Sequence, residues 1–82
     1  MYDVEGLKEV ENFTNEKTGS KTFILENTGE KTVKGAKMVL TNLITNEGKQ
    51  KLMLGPWKNG QRFEVEFKKV NNEPVFLDIS PL

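Results

Sequence analysis

The sequence predicts an all-β fold, a small antiparallel β-sandwich of six to seven strands. Two observations lead there, and the chain's length bounds them. Apolar residues recur with a period of two, the spacing that places alternate side chains on one face of a strand. Turn-forming Asn, Gly and Pro residues punctuate these stretches about every ten residues, the rhythm of a sandwich or barrel. At 82 residues the chain is one domain, residues 1–82. A domain of this size buries only about 60–65% of the surface its unfolded form exposes, which leaves room for one thin core.

The strands are justified in order. Residues 3–13 carry Val4, Leu7 and Val10 at intervals of three, a short helical spacing. Gly6 and the scattered β-branched and aromatic residues favour an irregular edge strand instead. Residues 22–26 (TFILE) form an apolar run of strand length. In 36–44, Ala36, Met38 and Leu40 share one face with Asn42 and Ile44, while Lys37, Val39, Thr41 and Leu43 share the other. Residues 51–54 (KLML) form a second short apolar run. In 62–69, Phe63, Val65 and Phe67 oppose Arg62, Glu64, Glu66 and Lys68; in 75–79, Val75, Leu77 and Ile79 oppose Phe76 and Asp78. A single open sheet would leave these apolar faces in water, so two layers are required.

The connections carry their own chemistry. Asn27-Thr28-Gly29 gives a tight connection. Asn46-Glu47-Gly48 reads as a hairpin loop with Gly48 in the left-handed position. Asn59-Gly60 is a hairpin signal between Trp57 and Phe63, and Asn71-Asn72 is suited to turning 62–69 back onto 75–79. Pro56, Pro74 and Pro81 fall at strand ends, where a missing N–H does least harm. Lys31, Lys34 and Lys37 are expected to keep a loop and an edge soluble and to discourage edge-to-edge pairing.

The stretch Phe23-Ile24-Leu25-Glu26-Asn27-Thr28-Gly29, followed by Lys31-Thr32-Val33-Lys34, Ala36-Lys37-Met38-Val39-Leu40 and Asn46-Glu47-Gly48-Lys49, resembles small bacterial immunoglobulin-like domains. The likeness is to the FxLYD type and related cell-adhesion-like domains. Gly60-Gln61-Arg62-Phe63-Glu64-Val65-Glu66-Phe67 is similar to their closing Gly-x-x-aromatic strand. The resemblance spans residues 22–67. Where the family places Leu-Tyr-Asp before a turn, this chain has Leu43-Ile44-Thr45. The resemblance implies an immunoglobulin-like sandwich and a non-catalytic module attached to bacterial surface or exported proteins.

Composition argues against catalysis. Histidine and cysteine are absent. The serines, Ser20 and Ser80, lie outside any nucleophile-elbow pattern. Glu64 and Glu66 share a strand face about 6–7 Å apart by the strand rise, but a two-carboxylate site needs a cleft that so short a chain does not build. No Gly-rich phosphate loop or Asp-rich loop occurs, so neither cofactor nor metal is expected. Asn12-Phe13-Thr14 is a formal glycosylation sequon that chance supplies readily. No apolar run reaches the roughly 18 residues of a membrane span, and the N-terminus lacks a basic-then-apolar leader. The chain thus reads as cytosolic, or as a domain excised from an exported protein.

Charge is uneven. Residues 1–30 hold three Lys against seven acids, a balance of −4; residues 31–69 hold eight Lys and one Arg against three acids, a balance of +6. Interleaving of the two regions in the fold is the simpler reading; a basic face toward an acidic partner is the sharper one. Single-strand nucleic acid binders join basic grooves to exposed aromatics. Here the aromatics of 62–67 share the core face and the total charge is zero, which argues against nucleic acid.

The expected function is therefore non-catalytic protein binding. Trp57, Lys58, Asn59 and Arg62 form the candidate contact loop, since Trp and Arg are enriched among interface hot spots. The competing reading of Trp57 is a lid on the end of the core. Phe76, Phe13 and Tyr2 are weaker candidates. Two alternatives stand beside a binding module: a free-standing inhibitor or modulator of a host protein, of the kind phages encode, and a structural domain that self-associates through an edge strand.

Overall fold

The computed structural model describes residues 4–82. Six strands form among them: β1 (Leu7–Thr14), β2 (Lys21–Asn27), β3 (Val33–Asn42), β4 (Gly48–Trp57), β5 (Arg62–Phe67) and β6 (Val75–Pro81). They make two antiparallel three-stranded sheets. The first has the order β1-β2-β5 and the second β4-β3-β6. The fold is a small all-β sandwich, as the alternation predicts. β2 pairs with β5 and β3 with β6, so each sheet joins strands that are distant in sequence.

The inward sets supply one core. Phe23 and Leu25 of β2 and Val65 and Phe67 of β5 meet Ala36, Met38 and Leu40 of β3 and Leu77 and Ile79 of β6, all buried. Phe23 packs edge-to-face on Phe67, with ring centroids 6.1 Å apart. Leu7 closes the core from β1. The region 3–13 resolves as strand rather than helix from Leu7 onward, and it is an irregular edge strand with a register shift between Glu9 and Glu11. Asp3 and Tyr2 lie outside the described residues.

Several expectations about connections are corrected. Asn59-Gly60 does not close a hairpin, because β4 and β5 belong to different sheets. Gly60, at φ 84°, instead helps the chain cross from one layer to the other. The same holds for Asn71-Asn72. Asn71 does adopt positive φ (58°), but the segment carries the chain from β5 in the first sheet to β6 in the second. That crossover is moored to the β1–β2 turn, since the amides of Val70 and Asn71 both donate to the Gly19 carbonyl at 2.9 and 2.7 Å. In the β3–β4 hairpin, Asn46 rather than Gly48 takes the left-handed conformation, at φ 64°. The Asn42 carboxamide oxygen accepts from the amides of Ile44 and Thr45, so the loop is nucleated from its first residue. Finally, β3 is a central strand, so Lys34 and Lys37 do not guard an edge.

Asn27 is the polar centre of the fold. Its side chain is wholly buried, yet every polar atom is used. Its carboxamide nitrogen donates to the carbonyls of Lys31 and Trp57, each at 2.8 Å, and its oxygen accepts from the Gly29 amide at 3.0 Å. Its backbone amide donates to Gln61 and its carbonyl accepts from Gly60. One residue thereby ties the end of β2, the β2–β3 crossover, the end of β4 and the β4–β5 crossover. Leaving buried partners unpaired costs about 1–3 kcal/mol for each group. Asn27→Ala should therefore destabilise by about 2–4 kcal/mol in urea unfolding, a large share of a small domain's stability. Asn27→Asp, nearly isosteric but without the amide donor, should cost at least as much. A near-neutral Asn27→Asp would remove the donor role assigned here.

Candidate interaction surfaces

The predicted contact loop is a corner between the sheets. Trp57 ends β4 and Phe63 is the second residue of β5, and the sharp crossover stacks their rings face to face, centroids 3.9 Å apart and planes within 8°. The indole is 8% exposed. Trp57 is thus a lid on the end of the core, and its ring is not the exposed anchor that an interface hot spot needs. Phe63, expected deep in the core, is half-buried and forms the more exposed ring of this stack.

The other three residues are held differently. The Arg62 Nε donates to the Glu26 carboxylate at 2.7 Å, a cross-strand ion pair on the first sheet's outer face. Asn59 donates from its carboxamide to the Gly29 carbonyl at 2.9 Å, bracing one crossover against the other. The backbone amide of Lys58 donates to the Gln61 side chain at 2.6 Å, and the lysine side chain is exposed. Trp57, Lys58, Asn59 and Arg62 are therefore gathered at one corner, but three of the four side chains serve the corner itself.

The two outer faces differ in charge. On the first sheet, Glu26, Arg62, Glu64 and Glu66 make a charged surface over β2 and β5, with Glu64 and Glu66 exposed, while β1 adds Phe13, 46% exposed. On the second, register sets Leu54 beside Gly35 and Leu52 beside Lys37. Leu52 is 56% exposed and Leu54 78%. Leu82 packs over Gly35, where a Cβ would collide with it and with the Met53 carbonyl. The missing side chain at Gly35 thus makes an apolar saddle between Leu54 and Leu82, flanked by Lys37. The signal for this surface lies in KLML, whose two leucines share one face while Lys51 and Met53 share the other; which of the two faces points outward depends on the pairing with β3.

The inward lysines of β4 have a separate task. Lys49 reaches across the sandwich to the Lys68 carbonyl, and to that of Lys69 at 3.3 Å. Lys51 reaches the Glu66 carbonyl, and its ammonium lies 5.5 Å from the centre of the Phe67 ring. Alternate carbonyls of β5 point away from β2, and these lysines occupy them. Both lysines and their acceptors lie within the basic stretch 31–69; the acidic and basic regions meet instead at the Glu26–Arg62 pair. Among the described residues, no group of three His, Cys, Asp or Glu side chains is placed to hold a metal ion.

No protein-family model matches the chain, and no significant match is found to a curated protein or to a solved structure.

Because Trp57 closes the core, its removal should act through stability. Trp57→Ala should cost about 3–5 kcal/mol, the range for truncating a buried aromatic. Lys58→Ala should change unfolding by less than about 0.5 kcal/mol, as exposed substitutions generally do. Equilibrium denaturation of both variants checks the assignment; a Trp57→Ala protein of native stability would return the indole to the role of a surface anchor.

Proposed function

We propose that this protein is a non-catalytic protein-binding module of immunoglobulin-like type, and that it engages its partner through the outer face of the β4-β3-β6 sheet. The observation that carries this reading is the pair of exposed leucines, Leu52 and Leu54, beside the Gly35–Leu82 saddle. Large exposed apolar residues grouped on one sheet face are what a docking surface presents. The likeness of residues 22–67 to bacterial immunoglobulin-like domains supports the immunoglobulin-like part of the reading, as does the pairing of β2 with β5 and β3 with β6, which corresponds to strands B with E and C with F of an immunoglobulin sandwich. The absence of histidine and cysteine from the sequence supports the non-catalytic part. Lys37, which flanks the leucines on this face, favours a partner patch that is apolar with an acidic residue beside it.

The test compares capture of partners from source cells by the parent protein and by a Leu52→Glu/Leu54→Glu variant. Both positions are solvent-exposed, so unfolding should shift by no more than about 1 kcal/mol. Loss of a central apolar anchor typically removes about 2 kcal/mol or more of binding energy, a fall in affinity of some thirtyfold. A purified partner that binds the variant as tightly as the parent, but loses affinity on Lys58→Ala, would transfer the site to the β4–β5 corner.

A further inference from the structure

A sandwich of two three-stranded sheets has four edges, and three of them here carry a protective device. On β1 it is the register shift at Glu9/Glu11, together with a charged sequence. On β5 it is Lys49 and Lys51, whose ammonium groups occupy the carbonyls of Glu66 and Lys68. On β4 it is those same inward-pointing lysines. Bulges, inward charges, edge lysines and prolines are the known means of preventing strand addition.

The fourth edge is different. β6 reads VFLDISP: it has no lysine, its one proline stands at the last position and leaves Val75 to Ser80 open, and its register against β3 is unbroken from Val75 to Pro81. The direction of its backbone follows from one hydrogen bond. The Leu43 amide donates to the Pro74 carbonyl at 2.9 Å, so Pro74, Phe76, Asp78 and Ser80 direct their main-chain groups at β3. Val75, Leu77 and Ile79 consequently direct theirs outward. Among the described residues no strand pairs with that side. A groove of about 510 Å³ runs alongside, between Glu9, Lys21 and Phe23 of the first sheet and Pro74, Val75 and Leu77 of the second. In an immunoglobulin sandwich a seventh strand lies beside the sixth at this position.

We propose that β6 pairs antiparallel with β6 of a second copy of this chain, about a two-fold axis at Leu77, joining two second sheets into one of six strands. The register is self-complementary. Val75 stands opposite Ile79 of the second copy, and Leu77 opposite Leu77 of the second copy, and each such pair exchanges both its N–H···O=C bonds, about six in all. Pro81, which has no N–H to give, falls outside these pairs. Phe76 stands opposite Asp78 of the second copy, so the two Asp78 carboxylates do not face one another. The chain's net charge is zero, which places no overall repulsion between copies. A second copy fits this edge better than an unrelated strand because the hydrogen-bonding and the charge pattern both close on themselves.

Two measurements test it. In the unmodified protein, hydrogen exchange read by NMR should show the amides of Val75, Leu77 and Ile79 gaining protection as concentration rises. Those of Phe76 and Asp78 should be protected throughout, and sedimentation should detect dimer below about 1 mM. The second measurement uses the absence of native cysteine. Phe76→Cys protein mixed with Asp78→Cys protein should cross-link to a heterodimer at least about tenfold faster than either protein alone, because directly opposed residues meet the spacing for a disulfide and diagonal ones exceed it. Leu52→Glu/Leu54→Glu should leave dimerisation unchanged, which separates this edge from the proposed docking face. A monomer at every concentration, outward amides already protected at high dilution, or equal cross-linking in the mixture and in the separate proteins would each overturn the proposal.

Discussion

The fold hangs on the burial of Asn27. A two-layer sandwich this thin has little apolar area to hold its sheets in register, and both crossovers at this end must pass over the core without leaving polar backbone exposed to it. Asn27 resolves that conflict by offering a donor to each of two carbonyls and an acceptor to one amide. The Trp57 carbonyl that it holds belongs to the residue whose ring stacks on Phe63. The polar tie and the aromatic lid are therefore two sides of one junction. A fully satisfied buried network of this kind specifies one arrangement more strictly than apolar packing alone.

That junction explains why the corner at residues 57–62 looks like a contact loop and is not built as one. Trp, Asn, Gly and Arg close together in sequence have the composition of an interface. Here Arg62 pairs with Glu26 and Asn59 braces Gly29, and the indole is folded inward. Composition reports which residue types are near each other along the chain. It does not report which way a crossover turns them, and a crossover that changes sheets turns Trp57 toward the core.

Much of the fold was legible because a period of two leaves few choices. Met38, Leu40, Val65, Phe67, Leu77 and Ile79 were placed in the core by alternation and are buried there. Which strands are neighbours was not legible. Asn59-Gly60 and Asn71-Asn72 carry the local chemistry of tight turns, and local chemistry is the same whether the next strand returns beside the last or crosses to the other layer. The lysines were misjudged for a related reason. Lys31, Lys34 and Lys37 stand out in the sequence, but the edge is guarded by Lys49 and Lys51, which sit at inward positions of β4 and so break the alternation. An inward lysine is a stronger signal than a cluster of lysines, since only an unusual geometry accommodates it.

The same inward lysines divide the molecule's surfaces. By occupying the carbonyls of β5 they close the flank where β4 and β5 meet, and the opposite flank, where β1 and β6 approach, carries the groove instead. Closing one side with charge leaves apolar character concentrated on the other side and on the outer face above it. β4 contributes to both effects through its alternation: Lys49 and Lys51 point in, and Leu52 and Leu54 point out. In an ordinary amphipathic strand the charged set would face water and the leucines would fill the core. Here the lysines at the start of the strand spend their charge on backbone carbonyls across the sandwich, and the leucines are left at the surface. A strand patterned in that way gains edge protection at the cost of an exposed apolar face, and such a face is tolerated most readily where another surface covers it.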